Sequence, residues 1–102
     1  MALFKFEDAF NVTGRGLVIT GRIEEGNINR GDFVFLPDMT LEITGIEMFR
    51  KAFNTAQPGD NVGLLVRGNI TKEEMNSKYR KSTFNVMTIE EMRDKKLKDI
   101  GI

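Results

Sequence analysis

From Phe4 to about residue 68 the chain is a run of short apolar stretches of period two, cut every few residues by turn-forming residues. No other feature restricts the fold as much. Successive side chains of a strand point to opposite faces, so alternation half-buries a strand, whereas a surface helix repeats every 3.6 residues. Phe4, Phe6 and then Ala9 to Val12 form a β-rich opening. Leu17, Ile19, Gly21 and Ile23 fall on one face of a second stretch, with Val18, Thr20 and Arg22 on the other. Asn27 to Gly31 has turn chemistry, and Phe33-Val34-Phe35-Leu36 then runs to Pro37-Asp38. Leu41 and Ile43 share one face while Ile46 and Met48 share the other, so the phase slips near Gly45, as at a bulge or barrel corner. Gln57-Pro58-Gly59-Asp60 puts proline and glycine at the two centres of a type II turn. Asn61 to Val66 is almost wholly apolar, which predicts a strand buried on both sides. About six short strands at this spacing predict an all-β fold, a closed barrel or a sandwich, and closure removes exposed edges.

After residue 70 the texture changes. Thr71 to Ser82 is charged, with Met75 and Tyr79 four apart, and reads as a short helix or a loop. Ser82 to Met87 is a candidate last strand. Thr88-Ile89-Glu90-Glu91 is a capping box, the threonine oxygen and the third-position glutamate each satisfying a free backbone amide. The helix it starts is expected to run to about Asp99, with Gly101 as its C-cap. Ile89, Met92, Lys96 and Ile100 give it only a thin apolar stripe, so it must dock on the barrel or on another chain. There is no repeat or low-complexity tract. The expectation is a single domain, with a barrel over residues 1–75 and a tail with a C-terminal α-helix over residues 76–102.

The 102 residues include no cysteine and no histidine. Disulfides, zinc–thiolate sites and cysteine nucleophiles are thereby excluded, with the commonest general base and imidazole ligand. No Gly-x-x-x-x-Gly-Lys-Ser/Thr phosphate loop occurs, and Gly14-Arg15-Gly16 fails as a dinucleotide motif because Ile19 stands where the third glycine belongs. The adjacent acidic pairs Glu7-Asp8, Glu24-Glu25, Glu73-Glu74 and Glu90-Glu91 make poor acid–base couples, since neighbours on a strand face opposite ways. A protein that is not an enzyme, with no cofactor and no metal, is expected. Fifteen acidic side chains balance 15 basic ones. A free-standing nucleic-acid binder usually carries a basic excess, so the balance argues against autonomous RNA binding but not against docking of a nucleotide end in a local pocket. No stretch approaches bilayer-spanning length, and the N-terminus turns acidic before a signal-peptide core, so no membrane and a cytoplasmic location are expected.

Among the basic residues, Arg15 lies between two glycines, where it reaches a phosphate or closes a tight turn. Arg50-Lys51 follows Met48-Phe49 and forms a small basic rim. Lys95, Lys96 and Lys98 fall in the final turns of the expected helix, where cations complement its dipole.

Three segments taken together resemble one family. They are Glu7-Asp8-Ala9-Phe10-Asn11-Val12-Thr13-Gly14-Arg15-Gly16-Leu17-Val18-Ile19-Thr20-Gly21-Arg22-Ile23-Glu24, then Thr44-Gly45-Ile46-Glu47-Met48-Phe49-Arg50-Lys51, then Gly59-Asp60-Asn61-Val62-Gly63-Leu64-Leu65-Val66-Arg67-Gly68. In order and spacing they resemble domain 2 of elongation factor Tu, over roughly residues 4–75. The resemblance implies a closed six-stranded antiparallel barrel of Greek-key type. In the family this barrel receives the 3′ end of aminoacyl-tRNA. It implies that Glu47 lies beside the terminal adenine, that Val12, Val18 and Leu65 wall the pocket, and that Glu7, Asp8, Phe10, Thr20 and Asn61 lie near the aminoacyl group, with Arg50 close by.

The sequence also departs from the family. A GTPase domain and a third barrel are missing from these 102 residues, and Leu36-Pro37-Asp38-Met39 replaces a longer hairpin connection. The matched residues have structural alternatives: Val12, Val18 and Leu65 as core, the glycines as turns and corners, and Glu47 with Arg50 as a strand-end ion pair. Two functions stay open. One is a binding module for an RNA or tRNA 3′ end or a ribosomal or other ribonucleoprotein surface. The other is a protein-interaction or regulatory module that uses the C-terminal helix and binds no RNA. The oligomeric state is open.

Overall fold

The inward-facing members of the alternating stretches meet in one core. Phe4, Phe6, Ile19, Ile23, Val34, Leu41, Ile43 and Leu64 are fully buried there, each worth about 1.5–3 kcal/mol of burial. The computed structural model describes residues 1–99, with side chains to Asp94. Ile100 and the expected C-cap Gly101 lie outside the described residues, as do the side chains of Lys95, Lys96 and Lys98.

The elements in chain order are β1 (Ala2–Val12), β2 (Gly16–Glu25), β3 (Ile28–Asn29), β4 (Phe33–Phe35), β5 (Thr40–Met48), β6 (Lys51–Phe53), β7 (Thr55–Ala56), β8 (Asn61–Arg67), α1 (Lys72–Tyr79), β9 (Thr83–Met87) and α2 (Ile89–Asp99). Six strands close a barrel-like ring in the order β4-β9-β1-β2-β8-β5, with β5 returning to β4, and every pairing is antiparallel. β6 extends β5 as a hairpin, while β3 and β7 pair outside the ring. The expected all-β barrel is therefore present. The ring includes a strand from beyond residue 75: Val86 of β9 pairs with Ala2 on one side and Val34 on the other.

The phase slip at Gly45 is a break in register between Ile43 and Gly45, and it turns Ile46 inward to join Leu41 and Ile43 in the core. β8 corrects an expectation. It is not buried on both sides: Val62, Leu64 and Val66 point inward, whereas Gly63 and Leu65 face outward and are half-covered. Its apolar composition reflects a shallow outer depression rather than a second core.

The charged segment after residue 70 folds as α1, opened by a Thr71–Glu74 capping box. Its buried Met75 seats it on the barrel, and Tyr79 meets Phe84 edge-on at 5.6 Å. Beyond Lys5, β1 has no strand on its β9 side, and this segment satisfies that edge. Phe6 N–H donates to Ser82 O, Lys81 N–H donates to Phe6 O, and the Asn76 side-chain amide both accepts from Ala9 N–H at 2.8 Å and donates to Ala9 O at 2.9 Å. The second capping box forms as expected, Glu91 N–H donating to Thr88 Oγ1 and Thr88 N–H to Glu91 Oε1, both at 3.1 Å. The N-terminal ammonium, 2.7 Å from Glu91, and next the Thr88 backbone amide hold the Glu91 carboxyl below its ordinary range. No described helix is long and apolar enough to cross a membrane.

Candidate functional site

The outer faces of four adjacent strands, β1, β2, β8 and β5, carry two aligned rows of side chains. One row runs Phe10, Val18, Leu65, Gly45 and the next runs Asp8, Thr20, Gly63, Glu47. Directly opposed residues on such rows sit about 5 Å apart, so each row spans roughly 15 Å. The middle of this face is low because its residues are small. A Cβ built on Gly63 would come within 3.3 Å of Val18 Cγ1 and 4.0 Å of the Glu47 carbonyl, so any larger residue would fill the floor.

Around that floor lies a depression of about 360 Å³, lined by Phe10, Val12, Arg15, Val18, Thr20, Glu47, Met48, Phe49, Arg50 and Gly63, at the small end of ligand-sized clefts. Six of the ten residues singled out from the sequence are gathered here: Phe10, Val12, Val18, Thr20, Glu47 and Arg50. Val18 is only 4% exposed although it faces outward, the cover coming from its neighbours on this face. Glu7, Thr20 and Asn61 line a second, shallower depression with Gly21 and Val62, and Thr20 joins the two. The Thr20 hydroxyl donates to Asp8 O at 3.2 Å.

Two of the ten stand apart. Leu65 is half-buried beside Val18 and Gly45 and does not reach the lining. Asp8 is turned away, its Oδ1 2.8 Å from Arg80 at the end of α1 and accepting from Ala9 N–H. The strand-end pair of Glu47 with Arg50 does not form. Glu47 is instead paired with Arg15, Nη1 to Oε2 at 2.7 Å, because the turn after Val12 carries Arg15 across to β5. Both side chains keep contact with water, and such pairs are worth about 0–1 kcal/mol, so the pair is easily opened.

The rim opposite Phe10 is the β5–β6 turn. Met48 pairs with Lys51, leaving Phe49 and Arg50 as a two-residue connection with φ of 53° and 63°. Positive φ at both centres is what the twist of a tight hairpin requires, and Asn-Gly usually supplies it. A bulky aromatic and an arginine in that conformation are strained. Phe49 is nevertheless 89% exposed. Sequence reasoning left out Met48, Phe49 and Gly63 as lining residues. Gly63 follows from the register opposite Thr20 and Glu47, but no local signal marks an aromatic turn as exposed. Among the described residues no group of three or more acidic side chains is placed to hold a metal ion.

Comparison with known proteins places this geometry. The profile described as elongation factor Tu domain 2 matches residues 16–77, more than half of the chain. Translation elongation factor SelB from Methanococcus maripaludis, solved in its apo form, superimposes with a TM-score of 0.68 at 27% identity over 85% of this chain. The match occupies 18% of the SelB chain, so it concerns one part of a longer factor. A six-stranded ring matched by fold and sequence profile alike makes the chain a member of the elongation factor Tu domain 2 family.

Proposed function

We propose that the protein is a non-catalytic binding module that takes the 3′ end of an RNA, an aminoacyl-tRNA above all, in the depression around Glu47. One observation carries this reading: a carboxylate stands at the edge of a small apolar-walled hollow, held among the described residues by a surface ion pair with Arg15. A purine needs flat apolar walls, here Phe10, Val12 and Val18, and a hydrogen-bonding group at its edge. Glu47 supplies an acceptor for an exocyclic amine once Arg15 swings away, and Arg15 and Arg50 are then free to meet phosphate. The adjoining depression offers the Glu7 carboxylate and the Asn61 amide to an aminoacyl ammonium group. This function belongs in the cytoplasm, with tRNA or a ribonucleoprotein such as the ribosome as partner.

Titration with aminoacyl-tRNA, deacylated tRNA and an oligonucleotide ending in CCA, at two salt concentrations, tests the reading. Glu47→Ala is expected to weaken all three about tenfold or more, the effect of losing a hydrogen bond to a charged group. Glu7→Gln should weaken only the aminoacylated ligand. Binding indifferent to Glu47→Ala, or no binding at millimolar concentration, would contradict it. A second reading, a protein contact through α2, is favoured by Ile89, which stands 49% exposed on that helix. Its mark would be a protein partner lost on deleting residues 88–102 with RNA affinity unchanged.

A further inference from the structure

Phe49 separates two hollows. On one side lies the Glu47 depression; on the other lies one lined by Asn27, Met48, Phe53, Gln57 and Asp60, with Phe49 itself shared by both. We propose that the Phe49 ring is the stacking platform for the nucleotide preceding the terminal one, whose base turns toward Met48 and Phe53. This rests on the reading that an RNA end occupies the Glu47 depression. The two hollows share Met48 and Phe49, so a strand leaving the first beside this rim passes over the ring. An aromatic face accepts any base, and the side chain projects 89% exposed from a turn that the β5–β6 hairpin pairing holds in one conformation. Beyond the ring, the Asn27 and Gln57 amides and the Asp60 carboxylate offer donors and acceptors to a base edge.

Charge selects the occupant. Arg50 and Lys51 directly follow Phe49, both are exposed, and neither has an ion-pair partner among the described residues. An aromatic face next to uncommitted cations suits a base and its phosphate, the combination by which single-stranded nucleic acid is held.

Two fluorescent oligonucleotides ending in the same adenosine, one with a base and one abasic at the penultimate position, test the platform by anisotropy. For the wild type, removing that base is expected to weaken binding about tenfold, the low end of base–aromatic stacking. Phe49→Ala should weaken the intact probe equally, leave the abasic probe unchanged, and be rescued by Phe49→Trp. Because Phe49 buries so little, all variants should keep the wild-type circular dichroism spectrum. If Glu47→Ala abolishes binding while Phe49→Ala changes it less than about twofold, the platform is overturned and the pocket stands. An equal loss on both probes also overturns it, because the contact is then not to that base. If no probe binds, or none responds to Glu47→Ala, pocket and platform fall together. Phe49-dependent self-association with unchanged oligonucleotide affinity would assign the ring to a protein contact and overturn the proposal.

Discussion

Replacing Phe49-Arg50 by Asn-Gly should make the protein more stable while impairing what the turn is for. Both residues sit at positive φ, where a side chain costs about 1–2 kcal/mol per residue, so relieving both offers about 2–4 kcal/mol. The substitution gives back little. Phe49 is 89% exposed and contributes almost no burial, and Arg50 has no ion-pair partner among the described residues. Glycine at 50 loosens the unfolded chain at a cost of about 0.4–1 kcal/mol. The net gain is about 1–3 kcal/mol, which for a domain of this size raises Tm by roughly 5–15 °C. Thermal unfolding followed by circular dichroism measures it, with guanidinium titration checking that the m-value is unchanged. An unchanged or lowered Tm would mean that the turn is packed rather than strained.

Three further outcomes follow from single contacts. Gly21→Ala places a methyl group against the Lys5 carbonyl and 2.7 Å from the Phe4 ring, so β1 and β2 must part; denaturant unfolding should report a loss of about 3 kcal/mol, the upper end of overpacking. Asn76→Ala removes both partners of the buried Ala9 backbone on that edge, although Asp8 Oδ1 still accepts from Ala9 N–H; a loss of about 1–3 kcal/mol, with faster exchange of the Ala9 amide, is expected. Burial raises the Asp32 carboxyl above its ordinary 3.8 against the opposing pull of the Asn29 amide. Its folded form holds the proton more tightly, so its contribution is full below 3.8 and falls as pH rises through the folded value. The stability of the wild type relative to Asp32→Asn should therefore decline from acid toward neutral pH, and a rising difference would contradict the assignment.

Much of the barrel was legible because alternation states which side chains face inward. Phe4, Phe6, Ile19, Ile23, Leu41 and Ile43 are buried as their parity requires, and Gly45 marks the bulge that keeps Ile46 with them. Periodicity carries no pairing order, however. Nothing local says that β9 lies between β4 and β1, or that Arg15 rather than Arg50 reaches Glu47, since both depend on strands brought together from far along the chain. Val62 to Val66 was misread because outward Gly63 and Leu65 look apolar whether they meet a core or a hollow. The resemblance gathered Phe10, Val12, Val18, Thr20, Glu47 and Arg50, which the fold brings to one depression. Asp8, which the resemblance groups with them, is held by Arg80, a residue outside the matched segments.

The proposed function requires the two rows across β1, β2, β8 and β5 to form a binding face for an RNA end. Backbone amide chemical shifts recorded while a CCA trinucleotide is added to isotope-labelled protein address it directly. Saturable shifts are expected at Val18, Thr20, Glu47, Gly63 and Leu65, and with Glu47→Ala they should need about tenfold more trinucleotide. Shifts confined to α2, or none at millimolar trinucleotide, would contradict it.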